Sequence, residues 1–188
     1  MFDPLFNLKG KRVLVTGGAG SLGTLISKAF AERGADVTVQ DLNQDRIDEV
    51  RQAITKESGK AFSIAADLSD PAECARVVSE ANQLMGGLDI VINTAGINRR
   101  KPISEVTEDD FNAIVSVNMK AIYFISQAAH PIMKAAGGGV IVNMSSLSAR
   151  YSFNTISVSV TITSIGCKAA VTLADGPLLG VTAKVLPS

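Results

Sequence analysis

The chain has 188 residues, 46% of them apolar and 19% charged, and its 18 basic side chains balance 18 acidic ones. That length suits one domain, residues 1–188, with a core large enough to need no staples. Balanced charge gives no electrostatic reason to expect nucleic acid or an anionic membrane as partner, and no apolar run approaches a membrane span.

The opening "MFDPLFNLKGKR" lacks the apolar core of a signal peptide, so a soluble, cytoplasmic protein is expected. Cys74 and Cys167 are too few and too far apart for a metal knuckle or a disulfide framework, and no metal is expected. They read as buried thiols in a reducing compartment.

Along the chain, "RVLVTGG" reads as a buried strand ending in a tight turn. Leu22, Leu25, Ile26, Ala29 and Phe30 then recur at helical spacing, and Gly34 closes that helix. "ADVTVQD" is a second strand, Asn43 to about Ser58 a mostly polar helix, and "KAFSIAAD" a third strand. Asp70-Pro71 supplies an N-cap and a first-turn proline, with Cys74, Val77, Val78, Ala81 and Leu84 on one helix face. "LDIVINTAG" is a fourth strand, a long helix runs from Thr107 to about Ala136, and "VIVNMSS" is a fifth strand. Five alternations of strand and helix predict an α/β fold, a Rossmann-like doubly wound parallel sheet with helices on both faces.

Residues 149–188 break that rhythm. From Thr155 to Thr163 apolar residues alternate with Thr or Ser, the period of a half-buried strand. "SIGCKAAVTL" looks like the start of a helix, which Gly176-Pro177 would stop, and the final strands of such a sheet look incomplete.

"VTGGAGSLG" follows the first strand and opens the first helix. Glycines there allow a sharp turn and let a pyrophosphate meet backbone N–H groups at the positive helix end. Asp41 ends the second strand, where a carboxylate accepts hydrogen bonds from both adenosine ribose hydroxyls and repels the extra phosphate of NADP. Gly18, Ala19 and Gly20 offer no compensating cation, so NAD is expected over NADP. On the long helix, Phe111, Ile114, Val115, Ile122 and Ile125 mark the expected buried face, and Asn118 falls among them. An asparagine there needs partners, and a satisfied core asparagine is one reading. Arg99 and Arg100 follow the fourth strand at its C-terminal end, as a solvated loop or as a carboxylate clamp for an acidic substrate. His130, the only histidine, precedes Pro131 and reads as structural.

These residues resemble the short-chain dehydrogenases/reductases. "TGGAGSLG" is similar to the family's TGxxxGxG motif at Thr16, Gly17 and Gly23, with Ser21 in the place of the middle glycine. "NTAG" (Asn93 to Gly96) resembles NNAG with Thr94 for the second asparagine. The resemblance runs from about Lys9 to Ser148, and "NTAGINRRKP" is also similar to dehydrogenases of the gluconate and deoxygluconate type. It implies a cofactor held by Gly17, Ser21, Leu22, Gly23, Asp41, Leu42, Asp67, Leu68, Asn93, Ala95, Gly96 and Lys168. It further implies a catalytic Asn118 whose backbone holds a relay water, and a catalytic Ser146 that polarises the carbonyl. Lys168 is the implied partner of a tyrosine acid–base group, and a homotetramer or dimer is the implied assembly.

That tyrosine has no counterpart. Four places before Lys168 stands Ser164, and counting forward from Ser146 by the family's spacing lands on Ser159. Only Tyr123 and Tyr151 exist, and neither has a lysine four residues on. Losing a general acid costs about two to four orders of magnitude in rate. Three readings follow: an NAD-dependent dehydrogenase of a sugar acid or polyol, a catalytically silent NAD-binding or interaction module, and a ketoacyl thioester reductase. Asp41 argues against the third, whose family members mostly take NADP.

Overall fold

A computed structural model describes residues 7–57, 59–145, 170–174 and 180–183. The chain opens with β1 (Arg12–Thr16), α1 (Ser21–Glu32), β2 (Asp36–Asp41), α2 (Gln44–Lys56) and β3 (Lys60–Ala65). It continues through α3 (Pro71–Met85) and β4 (Ile90–Asn93) to a short 3-10 turn at Ile103–Glu105. The expected long helix is α4 (Glu108–Val115), a π-helical turn (Ser116–Lys120) and α5 (Ala121–Ala135) in direct succession, followed by β5 (Val140–Met144).

The sheet order is β3-β2-β1-β4-β5, all parallel, and it is extended by β6 (Ala170–Ala174) and β7 (Gly180–Ala183). β6 pairs parallel with β5, and β7 returns antiparallel along β6. The stretch read as a helix start around Lys168 is therefore strand from Ala170 onward. Val171, Thr172 and Leu173 suit a strand, and they satisfy the hydrogen-bonding edge that β5 would otherwise leave open. The period-two stretch Thr155–Thr163 lies outside the described residues. Among those described, no helix is long and apolar enough to cross a membrane.

Alternation along the strands splits the core in two. Val13, Val15, Val37 and Val39 face α1 and α2 and pack with Ile47, Val50 and Ile54. Leu14, Val91 and Ile141 face the other way, onto Val77 and Val78 of α3 and Ile125 and Ala129 of α5. Each fully buried aliphatic side chain of this kind contributes about 1.5–3 kcal/mol. Three expectations about burial change, the first on α3, where Leu84 is 41% exposed and Met85 is buried in its place. Leu22 and Leu25 are 49% and 67% exposed, so α1 packs on Gly23, Ser27 and Ala31 instead. Phe111 is 48% exposed while Ile114, Ile122 and Ile125 are buried, because the π turn rotates the helix between its two halves.

The chain moves outward from β1 to β2 and β3, then crosses to β4 on the other side of β1. This reversal opens a crevice beyond the carboxyl ends of β1 and β4, where ligands bind in such sheets. The opposite ends of the same two strands are locked. Arg12 donates through Nε and Nη2 to the Asp89 carboxylate at 2.8 and 2.9 Å, and through Nη1 to the Gly86 carbonyl at 2.6 Å.

Candidate functional site

The glycine turn sits at the mouth of that crevice. Gly17 takes φ +64°, and a β-carbon on it would lie 2.7 Å from the Ala95 backbone after β4. Gly20 N donates to Gly17 O at 3.0 Å, which closes the turn into α1. No side chain caps α1, and its first turn holds no acidic residue. By contrast, Asn43, Asp70 and Thr107 cap α2, α3 and α4 with side-chain oxygens. The first amides of α1 thus keep the helix's partial positive charge for an outside acceptor. Ser21, Leu22 and Gly23 all belong to this turn, and half-exposed Leu22 offers an apolar surface beside it.

β2 ends against the same turn. Asp41 Oδ2 accepts from Ala19 N at 3.1 Å and Oδ1 from Leu42 N at 2.8 Å. Each oxygen holds one amide and keeps capacity for another donor, as a ribose diol requires. Leu42 is 69% exposed immediately beyond it. The donor set and the close-packed glycines together fit a dinucleotide: open amides for phosphates, a carboxylate for the ribose, and apolar surface at the rim.

Beyond β3, Asp67 is exposed and its Oδ1 accepts from Ser69 N at 2.9 Å. Leu68 is only 5% exposed, its side chain in the core with Cys74, Val77 and Val78. Its carbonyl accepts a long contact from Cys74 Sγ at 3.4 Å, and burial pushes the Cys74 thiol up to about 11. That thiol is neutral and unreactive at physiological pH.

At the end of β4 the polar side chains form a row across strands. Thr16 Oγ1 contacts Asn93 Oδ1 at 3.4 Å, and Asn93 Nδ2 donates to Asn143 Oδ1 at 2.8 Å. Asn93 is 2% exposed, so its amide belongs to the sheet. Thr94 turns its hydroxyl onto the Thr16 carbonyl at 2.6 Å, tying the following Ala95 and Gly96 to β1. The loop continues under a second grip. Ile97 N donates to Asn118 Oδ1 at 2.8 Å, and Asn118 Nδ2 donates to Ile97 O at 2.9 Å. Asn118 lies in the π turn, a distortion frequent at functional sites. Each atom of its amide holds one main-chain group of the loop and keeps capacity for one more partner.

Of the three successive cations, Arg99 Nη1 donates to Asp110 Oδ1 at 2.9 Å and Lys101 Nζ to Asp110 Oδ2 at 2.6 Å. Arg100 is exposed and has no ion-pair partner among the described residues. Asp110 also completes the capping box with Thr107. These donors hold its carboxyl far below the usual carboxylate range. Ser146, two residues past β5, lies outside the described residues, as do Ser159, Ser164 and Lys168. His130 is exposed near the end of α5.

Asp110 and Gln40 were not singled out from sequence. The T-x-x-D pattern at Thr107 is a capping-box signal that points to Asp110. The only signal for Gln40 is its place in the strand "DVTVQD", directly before the carboxylate that ends it.

Comparison with known proteins places these features in context. The family model described as short chain dehydrogenase matches residues 11–161. An oxidoreductase from Thermotoga maritima is 39% identical over 140 residues, covering 74% of this chain and 55% of that protein. The gluconate 5-dehydrogenase of Gluconobacter oxydans is 35% identical over 143 residues, covering 76% of this chain and 56% of that protein. A crystal structure of a short-chain alcohol dehydrogenase from Sinorhizobium meliloti superposes with a TM-score of 0.78 at 40% identity, over 81% of this chain and 61% of the other. The chain spans about half the length of the curated relatives it matches.

Proposed function

The chain belongs to the short-chain dehydrogenase family, whose members use a nicotinamide cofactor, and on that premise we propose an NAD-dependent oxidoreductase. Its reaction is hydride transfer between the nicotinamide and a secondary alcohol or ketone, with a sugar acid or polyol as substrate. The protein acts as one domain, residues 1–188, in the cytoplasm, as a homo-oligomer.

The observation that carries the choice of NAD is Asp41. Its carboxylate stands against the glycine turn with one acceptor position spare on each oxygen. A 2′-phosphate there would meet a negative charge, and Gly18, Ala19 and Gly20 supply no cation. In this reading the amides at the start of α1 receive the pyrophosphate, and Asp67 with the Leu68 main chain borders the adenine. The Ala95–Gly96 segment, fixed by Thr94, borders the nicotinamide side. Asn118 contributes main chain to a proton relay, Ser146 polarises the substrate carbonyl, and Lys168 holds the nicotinamide ribose. Arg99 is engaged with Asp110, which makes Arg100 the better candidate to meet a substrate carboxylate. Similarity to a gluconate 5-dehydrogenase supports an acidic sugar.

The absence of a tyrosine four residues before Lys168 favours a second reading, a module that binds NAD without turning it over. Calorimetric titration with NAD and NADP, followed by NADH formation with sugar acids and polyols, separates the two. We expect NAD to bind at least tenfold more tightly than NADP, and Asp41→Ala to shrink that preference. Equal or tighter NADP binding overturns the cofactor reading. NAD binding without NADH formation from any substrate establishes the silent module.

A further inference from the structure

The glycine turn is held by more than its own glycines. Three successive amides, those of Gly17, Gly18 and Ala19, all donate to the last two residues of β2. Gly17 N reaches Gln40 Oε1 at 3.4 Å, Gly18 N the Gln40 carbonyl at 2.7 Å, and Ala19 N Asp41 Oδ2 at 3.1 Å. Gln40 is 1% exposed, and its other side-chain atom, Nε2, donates to the Ala66 carbonyl at 2.9 Å. Ala66 N in turn donates to the Asp41 carbonyl at 3.0 Å. Ala66 immediately precedes Asp67 and Leu68. One buried amide therefore spans from the phosphate turn to the segment proposed to border the adenine, on either side of Asp41.

We propose that Gln40 is a positioning residue for the cofactor: it sets the spacing between the glycine turn and the 66–68 segment, so that both meet the adenosine half together. This rests on the dinucleotide reading above. A buried glutamine kept only for stability could bond any two main-chain groups. This one bonds the two segments that converge on the same ligand, and it flanks the carboxylate that selects it. An apolar residue of equal length would leave Gly17 N and Ala66 O without their side-chain partners, and both segments would gain freedom that ligand binding must then remove.

The variant is Gln40→Met, with Gln40→Asn as the second variant, since it keeps the amide but falls short of both partners. Met133→Ala, on the buried face of α5 near its C-terminal end and away from the turn, is the destabilised control. In the cofactor-free protein, amide exchange at Gly17 and at residues 66–68 is expected to rise in the Gln40 variants and stay unchanged in the control. By titration at a temperature where every variant is folded, NAD and ADP affinities are expected to fall about tenfold for Gln40→Met, the worth of one hydrogen bond. The control should lose less than twofold. Unchanged exchange at those amides overturns the proposal, and so does NAD affinity within twofold of the wild type. If the wild type binds no NAD, the cofactor reading fails by itself, and the exchange measurement still decides whether Gln40 sets the two segments.

Discussion

A β-carbon at Gly23 would stand 2.1 Å from the carbonyl oxygen of Gly17 and 2.7 Å from the Gly18 Cα, far inside van der Waals contact. Neither neighbour is a side chain that can swing away, so the turn itself must move. Gly23 thereby fixes how closely α1 approaches the glycine turn, and that distance decides whether the first amides of α1 and the turn reach one pyrophosphate together. Gly23→Ala is expected to destabilise the protein by about 1–3 kcal/mol through overpacking, and to lower NAD affinity well beyond tenfold. Thermal unfolding and titration with NAD check the two halves of this expectation. A variant that loses stability but binds NAD normally would separate the packing role from the ligand. Ser21 shows the opposite tolerance: the family's glycine is replaced there, at the exposed first position of the helix, where a hydroxymethyl group has room.

The loop after β4 and the helix after it act as one unit, because α4 and the π turn grip that loop at two points. Asn118 holds Ile97 by both main-chain groups, and Asp110 collects Arg99 and Lys101 while it caps its own helix with Thr107. Asp110 is 5% exposed and the two cations are 46% and 41% exposed, so the pair works from a shielded anion outward. Its carboxyl titrates well below an unperturbed aspartate, and the sign of the pH dependence follows. The stabilisation is fully present above the unfolded value of about 4. It is lost as pH falls below that value toward the folded one. Asp110→Asn is therefore expected to lower the urea midpoint by a constant amount between pH 7 and pH 5, with the gap to the wild type closing below about pH 4. A gap that stays constant down to pH 3 would mean that the ion pairs contribute nothing and only the cap matters.

Across the whole molecule, legibility followed the range of the interactions. Strand and helix alternation was visible because each element carries its own period, and the caps at Asn43, Asp70 and Thr107 stand next to the helices they begin. The pairing of Gln40 with Ala66 and of Asn93 with Asn143 was not visible, since strand register brings together residues 26 and 50 positions apart. Nor was the π turn, which shifts the exposed side of the long helix without changing its composition. Four residues overshoot a 3.6-residue turn by about 40°, and the wider π winding takes back part of that drift. Phe111, Met119 and Tyr123, at four- and eight-residue steps, accordingly all face solvent, 48%, 40% and 39% exposed. Such a stripe of large apolar residues on one long helix is the surface a second copy of the chain would cover, helix against helix, by a self-complementary twofold contact. The protein is expected to run as a dimer or tetramer in light scattering, and Phe111→Glu with Tyr123→Glu to release monomers by placing like charges across that axis. Because both side chains are exposed, the variant monomer should stay folded and keep its affinity for NAD, its unfolding temperature falling only by what assembly adds to the wild type. Wild-type protein that is already monomeric at high micromolar concentration would remove this face as the interface.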